Sequence, residues 1–355
     1  MKKITAAIVG AGVMGTATAW PLSDNGHEIR LVGTHLDRDI IQSCKEKNFH
    51  PRLKRELPPN VTPYYLEEIE TALEGVDFIL SGVNSMGAHW IGQTLAPYLK
   101  AGDTVIAVTK GLEAEPGGSL LILPEVLRAE LPAGLREQVS LAAIGGPCIA
   151  GELAGRRQSC VFFGSREIET ARWLADIYRT DYYHVQPTSE MVALEVAVAL
   201  KNAYALGVGL AAGMLKASGG PDTAGAYMHN TAAALFAQGA TEIHHILTML
   251  GVDEHFAYGL PGAGDLFVTS RGGRSVTLGQ LLGEGKSIQE ARAILKGETL
   301  EAALVIEQMA VALPKLEARG LLRAQDMPLM HTLIDVVVNA QPLRLDFDAM
   351  FSQLG

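Results

Sequence analysis

The pattern of apolar and polar positions changes once along this chain. In the first half, short apolar runs alternate with amphipathic stretches that have helical spacing. The apolar runs predict strands at residues 4–9, 28–32, 78–81, 104–108 and 139–144, with one or two more near 159–163 and 181–185. Strands that alternate with helices in this way predict a doubly wound, mainly parallel α/β sheet.

From about Pro187 onward, long helical patterns replace the short strands. They predict helices at residues 188–215, 223–250, 287–295, 299–319 and 328–338. The length of 355 residues agrees with two domains. We therefore expect an α/β domain over residues 1–186 and an all-α domain over residues 187–355.

Composition narrows the classes of function. The net charge of −10 argues against nucleic acid, or an anionic membrane surface, as the main partner. Three cysteines with no CxxC pair indicate reduced thiols in a cytoplasmic protein. The histidines lack the spacing of metal ligands, so we expect no metal site.

The longest apolar stretch, residues 192–215, is long enough to span a membrane. Glu195, Lys201 and Asn202 interrupt it, and a buried core helix is therefore the expected structure rather than a membrane-spanning one. Burying an unpaired ammonium costs on the order of several kcal/mol. Lys201 is therefore either held in a structural ion pair or placed for proton transfer.

A glycine motif lies directly between the first strand and the first helix. It reads Gly10-Ala11-Gly12-Val13-Met14-Gly15, which is the GxGxxG pattern. The first glycine permits a tight turn, the second lets backbone approach a pyrophosphate, and the third allows close packing of helix on strand. The motif predicts a Rossmann-like dinucleotide-binding domain in which Gly10, Gly12, Val13, Met14 and Gly15 contact the cofactor.

The end of the second strand normally carries an acidic residue for the adenine ribose. Here the sequence is Val32-Gly33-Thr34-His35-Leu36-Asp37-Arg38, with no carboxylate at the strand end itself. Thr34, His35 and Arg38 are candidate cofactor residues, and His35 or Arg38 would favour a 2′-phosphate. Asp37 is a candidate ribose partner further on, and the alternative is that these are plain surface residues. The choice between NAD and NADP stays open.

Three further segments carry candidate chemistry. Lys110 ends a predicted parallel strand, where ligand crevices open, so it is a candidate cation beside a substrate phosphate or a merely solvated lysine. The Gly-Pro loop at 145–152 brings amides toward a ligand or is a structural turn. The glycine-rich stretch at 262–275 combines Asp265, Thr269 and Arg274, which suits an anionic oxygen group, with a surface loop as the alternative.

Taken in order, these residues resemble the NAD(P)-dependent glycerol-3-phosphate dehydrogenases over nearly the whole chain. The matching positions are the glycine motif, Lys110-Gly111, Gly146-Pro147 with Ala150 and Glu152, Glu195 with Leu200-Lys201-Asn202, Asn230, and Gly262 through Arg274. The Lys-Asn helix and the Gly-Asp-Leu stretch with its threonine and arginine are the most specific parts.

The resemblance implies a Rossmann-like N-terminal domain, an all-helical C-terminal domain that binds the substrate, and an active site between them. The implied reaction is the reversible interconversion of sn-glycerol 3-phosphate and dihydroxyacetone phosphate with NAD or NADP, as in glycerophospholipid metabolism. A homodimer is also implied.

The same resemblance assigns roles to individual residues. Lys201 is the implied general acid/base, with Asp265 and Lys110 also in the catalytic set. Asn202, Asp265 and Thr269 hold the polyol and the lysine, and Arg274 binds the phosphate with the amide of Ser275. Lys110 also stands near the substrate and the nicotinamide. The cofactor contacts include Lys110, Ala150, Arg274 and Glu301.

Several positions depart from the family pattern. The family usually has Ser-Arg-Asn where this chain has Gly273-Arg274-Ser275, and often basic residues at the positions of Ala232 and Gln238. Ala302 stands where a glycine is usual, and Cys148 where a serine or asparagine is usual. Two alternatives therefore stay open: a dehydrogenase of another polyol phosphate, sugar phosphate or 2-hydroxy acid, and a non-catalytic nucleotide-sensing protein.

Overall fold

The computed structural model describes residues 2–351 and groups them into two compact units. The first unit contains the residues up to Lys110 together with Leu123–Leu194, and the second contains Gly111–Ile122 together with the residues from Glu195 onward. This grouping differs from the expected division at residue 186 in two segments. Residues 187–194 belong to the first unit, and residues 111–122 belong to the second.

The first unit is built on an eight-stranded sheet. Its strands are β1 (Thr5–Val9), β2 (Glu28–Val32), β5 (Val61–Tyr64), β6 (Phe78–Ser81), β7 (Thr104–Ala107), β10 (Ser140–Gly145), β11 (Ser159–Ser165) and β12 (Tyr183–Thr188), with the hairpin strands β3 (Phe49–His50) and β4 (Arg55–Glu56) outside the sheet. The strand order is β12-β11-β10-β7-β6-β1-β2-β5, and only the β10–β11 pairing among these strands is antiparallel. The predicted mainly parallel, Rossmann-like sheet is confirmed.

Helices connect these strands. They are α1 (Val13–Ala17), α2 (Ala19–Asp24), α3 (Arg38–Lys47), α4 (Ile69–Leu73), α5 (Ala88–Leu95), α6 (Leu123–Glu130), α7 (Ala150–Ala154) and α8 (Ile168–Tyr178), with short 3₁₀ turns at Leu66–Glu68 and Ser85–Gly87. Along β1, Ala6 and Ile8 enter one buried cluster, whereas Ala7 and Val9 enter another. The sheet is therefore covered on both faces, which explains why its strands are almost continuously apolar.

The second unit is helical apart from one hairpin. Its elements are β8 (Leu112–Ala114), β9 (Leu120–Ile122), α9 (Met191–Ala217, whose first turn lies in the first unit), α10 (His229–Leu250), α11 (Asp265–Ser270), α12 (Arg274–Gly283), α13 (Ile288–Ile294), α14 (Glu301–Ala318), α15 (Pro328–Val337) and α16 (Phe347–Phe351). Helix α14 holds the hairpin, because Gln308 accepts a hydrogen bond from the Ala114 amide and Lys315 donates to the Pro116 carbonyl. These contacts explain why residues 111–122 group with the helices.

Helix α9 is the long apolar helix expected from the sequence. By length and composition it could cross a membrane, with a mean hydropathy of 1.5 over its most apolar window. Of that window, 89% is buried inside the structure. The helix is therefore packed as a core element, as its three polar interruptions predicted.

A buried carboxylate joins three helices of the second unit. Glu242 on α10 accepts hydrogen bonds from the amides of Leu329 (2.6 Å) and Met330 (2.8 Å) at the start of α15. It also accepts from Gln238 (2.9 Å) and from the Tyr204 hydroxyl of α9 (3.0 Å). Since the first amides of a helix have no intrahelical partner, Glu242 supplies the cap that α15 lacks in its own sequence.

We expect Glu242→Gln to destabilise the second unit. The substitution places an NH₂ group against one of the donors, which costs about 1–3 kcal/mol. Urea unfolding should show the loss, while Glu307→Gln, which removes only an exposed ion pair with Arg292, should change stability by less than about 1 kcal/mol. Equal stability of the two variants would contradict the capping role.

The carboxyl group of Glu242 also makes the stability of the folded state depend on pH. Burial raises the pKa of Glu242 to about 7, so the native state keeps a proton that the unfolded chain releases near its ordinary pKa of 4.5. Stability therefore falls as pH rises from about 4.5 to 7. The deficit of the Glu242→Gln variant should accordingly shrink across that interval when unfolding is measured at several pH values.

Candidate functional site

The second unit buries a lysine together with a carboxylate and a hydroxyl. Lys201 Nζ donates to Thr269 Oγ1 at 2.6 Å and pairs with Asp265 Oδ1 at 3.1 Å. The side chains of Lys201 and Asp265 are only 6% and 3% exposed. Asp265 and Thr269 lie four residues apart on α11, which places both on one helix face. The sequence left a choice between ion pair and proton-transfer group for Lys201, and the structure provides the ion pair with the partner that was expected.

A tight turn positions Asp265 at the start of α11. Residues Leu260–Gly264 form one π-helical turn, closed by the bond from the Gly264 amide to the Gly259 carbonyl at 3.0 Å. A Cβ at Gly262 would lie 2.1 Å from the Ala257 carbonyl oxygen, so only glycine fits there. Residues 262–275 were expected to form a glycine-rich anion site, with a surface loop as the alternative. The surface-loop alternative is wrong for residues 265–270, 274 and 275, which are helical. Gly262 serves close packing, whereas a Cβ at Gly272 or Gly273 would meet open space.

Helices α9 and α12 touch backbone to backbone. A Cβ at Gly213 would lie 2.0 Å from the Gln280 carbonyl oxygen, and one at Gly279 would lie 2.0 Å from that of Leu206. A Cβ at Gly283 would lie 2.3 Å from the Leu210 carbonyl oxygen. Gly279 lies against Leu206, and Gly283, four residues further along α12, lies against Leu210, four residues further along α9. The two helices therefore run parallel. The N-terminus of α12 therefore lies toward the end of α9 that carries Asn202.

A cleft of about 200 Å³ opens at that N-terminus. We call it the anion cleft, and its lining residues are Asn202, Thr269, Gly272, Gly273, Arg274, Ser275, Thr299 and Glu301. Gly273, at φ 98°, precedes α12 and has no side chain to cap the first amides of the helix. Uncapped amides and the positive end of the helix dipole favour an anion. Arg274 is half exposed, and its guanidinium lies 3.6 Å from the carboxylate of Glu298.

The anion cleft collects most of the residues proposed for the substrate. Asn202, Thr269, Arg274 and Ser275 all line it, and Thr269 also contacts Lys201. Glu298 and Thr299 were not identified from the sequence as site residues. They gave no signal of their own, because only the fold brings the turn before α14 to the start of α12.

Three of the residues that depart from the family pattern lie outside the anion cleft. They are Ala232, Gln238 and Ala302. Gln238 is buried in the hydrogen-bond network of Glu242, and Ala302 is buried in the first turn of α14. Ala232 lies in the first turn of α10. None of the three lines the anion cleft, so Gly273 and Ser275 are the departures that bear on anion binding there.

The glycine motif of the first unit forms a turn with no space for side chains. Gly10 has φ 115°, and a Cβ there would lie 2.7 Å from the carbonyl carbon of Gly82, which follows β6. A Cβ at Gly15 would lie 2.8 Å from the Gly10 oxygen. Val13 and Met14 begin α1, and Val13 is 40% exposed. The turn therefore requires glycine at positions 10 and 15, as the motif predicted.

The loop after β2 has an unexpected organisation. Asp37 is buried, and its Oδ2 accepts from the Ala11 amide (3.1 Å), the Thr34 amide (3.0 Å) and the Thr34 hydroxyl (2.7 Å). Asp37 is therefore not a surface residue, as one of the alternatives had it. Its oxygen instead ties this loop to the glycine turn.

A second cleft, of about 190 Å³, lies beside β2. Its lining residues are Gly33, Thr34, His35, Arg38, Ile41, Tyr65, Leu66 and Glu67. The Arg38 guanidinium lies 5.0 Å above the Tyr65 ring and bonds to Glu67 at 2.7 Å. His35 packs edge-on against Trp90, with ring centroids 5.3 Å apart. All three predicted polar residues of this loop, Thr34, His35 and Arg38, thus line the cleft.

Lys110 and Ala150 also belong to the first unit. Lys110 Nζ donates to the Gly146 carbonyl at 3.2 Å, which links the end of β7 to the Gly-Pro loop after β10. Ala150 is the first residue of α7. The predicted site residues therefore fall into two sets, with Lys110, Ala150 and the glycine turn in one unit and Lys201, Arg274 and Glu301 in the other.

A group of metal-type side chains lies on the surface, away from these residues in sequence. Asp253, Glu254 and His255 bring one ligand atom each within 4.8 Å of one another. Asp253 Oδ1 accepts from both the amide and the ring of His255 at 3.0 Å. Capping of the short 3₁₀ helix Glu254–Ala257 accounts for this arrangement.

A doubly wound sheet with a glycine cradle at its first turn defines the class of dinucleotide-binding folds. Comparison with known proteins narrows the class. Residues 5–171 match the family described as NAD-dependent glycerol-3-phosphate dehydrogenase N-terminus, and residues 190–345 match its C-terminus. The chain therefore belongs to the family of NAD-dependent glycerol-3-phosphate dehydrogenases, as the sequence resemblance predicted.

Individual relatives cover most of the chain. An NADP(+)-dependent glycerol-3-phosphate dehydrogenase of Archaeoglobus fulgidus is 36% identical over 284 residues, which is 80% of this chain and 81% of that protein. A glycerol-3-phosphate dehydrogenase [NAD(P)+] of Bacillus cereus is 31% identical over 357 residues, covering 100% of this chain and 96% of the relative. The crystal structure of glycerol-3-phosphate dehydrogenase from Coxiella burnetii has a TM-score of 0.80 at 26% identity and covers 99% of each chain.

We expect Gly279→Ala to impair the anion cleft. The new methyl group would meet the Leu206 carbonyl, so α12 must move away from α9 and displace Arg274. Overpacking of this kind costs about 1–3 kcal/mol. Calorimetric titration with inorganic phosphate should show weaker binding and thermal unfolding a lower midpoint. Gly117→Ala is the matched control, since its Cβ would meet open space, and equal behaviour of both variants would rule out the packing constraint.

Proposed function

We propose that this protein catalyses the reversible interconversion of sn-glycerol 3-phosphate and dihydroxyacetone phosphate with NAD or NADP. The observation that carries the proposal is the position of Thr269. Its hydroxyl accepts a hydrogen bond from the buried Lys201, and the same residue lines the anion cleft. A proton-transfer group and an anion site are thereby joined by one side chain, as a phosphorylated alcohol requires. The family membership of the chain supports the same reaction.

In this proposal Lys201 is the general acid and base. As an ammonium paired with Asp265, it is ready to donate a proton to the C2 oxygen of dihydroxyacetone phosphate. In the opposite direction it takes the proton of the C2 hydroxyl. Asp265 and Thr269 hold Nζ in place, and the nicotinamide, when bound, supplies or accepts the hydride at C2.

The phosphate is assigned to the anion cleft. Arg274 offers a planar fork of donors, and the first amides of α12, including that of Ser275, add backbone donors. Asn202 is one residue beyond Lys201, and its side chain is assigned to the polyol. Lys110 is assigned to the substrate and the nicotinamide, and Glu301 with Arg274 to further cofactor contacts, as the family resemblance implies.

The glycine turn suits the pyrophosphate, and the cleft beside β2 suits an adenosine 2′-phosphate. His35 and Arg38 both line that cleft, while the one carboxylate of the loop after β2, Asp37, is committed to three internal hydrogen bonds. We therefore propose that NADP is preferred over NAD. The NADP(+)-dependent relative from Archaeoglobus fulgidus supports this preference.

We also propose a cytoplasmic homodimer that acts in glycerophospholipid metabolism. Three large apolar side chains are exposed within a ten-residue segment of the second unit, namely Tyr258 (56%), Leu260 (36%) and Phe267 (58%). Exposed apolar groups that cluster in this way are typical of protein contact surfaces. A second copy of the chain is the proposed partner there.

Turnover tests the reaction directly. With dihydroxyacetone phosphate we expect oxidation of NADH or NADPH, seen as a loss of nicotinamide absorbance. With unphosphorylated dihydroxyacetone we expect almost no such loss. Lys201→Met should lower kcat by about 10²–10⁴-fold, because positioned proton transfer contributes that much, while binding of the cofactor persists. Lys216→Met changes an exposed lysine of the same helix and should keep normal turnover. Full activity of Lys201→Met would remove the lysine from the mechanism.

Cofactor choice has its own test. Arg38→Ala should raise KM for NADPH by about 10–100-fold, since a hydrogen bond to a charged group contributes about 1.5–3 kcal/mol. KM for NADH should change by less than about twofold, because NADH lacks the 2′-phosphate. Arg172→Ala, on the exposed surface of α8, is the control. Equal effects on both nucleotides would place Arg38 outside the 2′-phosphate site.

A further inference from the structure

Side chains from two separate segments hold both backbone groups of Ala11 in the glycine turn. The Ala11 amide donates to Asp37 Oδ2 at 3.1 Å, and the Ala11 carbonyl lies 2.9 Å from His50 Nε2. Ala11 and His50 are both fully buried. We propose that His50 is a positioning residue for the cofactor: together with Asp37 it fixes the turn in the form that binds the pyrophosphate. The inference rests on the proposed function, because it takes the glycine turn as the pyrophosphate site.

The hydrogen bonds of His50 define its protonation. The Leu53 amide donates to Nδ1 at 3.0 Å, so that nitrogen carries a lone pair. The proton of the neutral ring must then be on Nε2, which donates to the Ala11 carbonyl. Burial lowers the pKa of His50, and the hydrogen bond to the Ala11 carbonyl opposes this without reversing it. The ring therefore acts as a neutral donor that is oriented by its own loop.

The bond to Ala11 also determines where the next amide points. In a trans peptide the carbonyl of Ala11 and the N–H of Gly12 point in opposite directions. Holding the carbonyl on the His50 side therefore directs the Gly12 N–H to the other side of the peptide. Gly12 is the glycine through which this motif approaches a pyrophosphate.

Two glycines flank Ala11, and glycine has the largest backbone freedom of any residue. A turn of this composition would lose much conformational entropy on binding unless the protein had already ordered it. Asp37 orders one side of Ala11 and also anchors Thr34 of the loop beside β2. His50, from the β3–β4 hairpin, orders the other side. The two contacts together make the turn preorganised.

Two substitutions of His50 distinguish its contact with the glycine turn from its contact with its own loop. His50→Gln carries an amide nitrogen near the place of Nε2, so it keeps the donor to Ala11 but loses the acceptor for Leu53. His50→Asn carries an oxygen near the place of Nδ1, so it keeps the acceptor for Leu53 but does not reach Ala11. Each variant thus retains one of the two bonds.

The experiment measures the Kd of NADPH by calorimetry, kcat at saturating NADPH, and thermal unfolding. We expect the Asn variant to bind NADPH about three- to tenfold more weakly, as for loss of one hydrogen bond, with kcat unchanged. The Gln variant should stay within about twofold of the wild-type Kd.

Other outcomes overturn the inference in recognisable ways. If the Gln variant is the weaker binder, or if Kd follows the unfolding midpoint in both variants, His50 serves only the fold of its own loop. If both variants bind as the wild type does, the Ala11 contact has no part in binding. If wild-type protein binds neither NADPH nor NADH, the proposed function itself fails, and the inference with it.

Discussion

The absence of a Cβ where two backbones meet is the constraint on which both candidate sites depend. In the first unit, Gly10 and Gly15 let the glycine turn press against the chain at Gly82. In the second unit, glycines on α9 and α12 let two helices pack with carbonyl oxygens where side chains would otherwise stand. Glycine inside a helix costs roughly 1 kcal/mol relative to alanine. The chain carries this loss at Gly209, Gly213, Gly279 and Gly283, and the close approach brings the start of α12 near the helix that carries Lys201.

Two buried carboxylates in the second unit show how differently the same group is used. Glu242 accepts four hydrogen bonds and holds the start of α15, so its acceptor capacity is filled from within the protein. Asp265 pairs with the Lys201 ammonium and accepts from the Thr269 hydroxyl, and Thr269 also borders the anion cleft. A buried charge with a partner and an opening beside it is the arrangement that suits chemistry. A buried carboxyl group whose oxygens are occupied by donors of the protein is the arrangement that suits a structural role.

The sequence predicted the parallel sheet well because strands buried on both faces are continuously apolar, as in β1 and β6. It also predicted the partnership of Lys201 with Asp265, through family resemblance. It missed α11 and α12, because glycines that serve close packing look like loop residues until the neighbouring helix is known. It missed the roles of Asp37 and His50 for a related reason. Their partner, Ala11, lies 26 and 39 residues away, and no local pattern marks that contact. Glu242, by contrast, interrupts an apolar helical pattern as Lys201 does, and the same criterion would have found it.

The ion pair between Arg274 and Glu298 gives the anion cleft a property of its own. Before any ligand arrives, the guanidinium already has a carboxylate 3.6 Å away, so binding there is an exchange of one anion for another. A ligand with a single negative charge would replace Glu298 with its equal and gain little from the arginine. A ligand with two negative charges would attract the guanidinium more strongly than Glu298 does. An anion that binds Arg274 therefore competes with Glu298, and an anion with two negative charges competes better than one with a single charge.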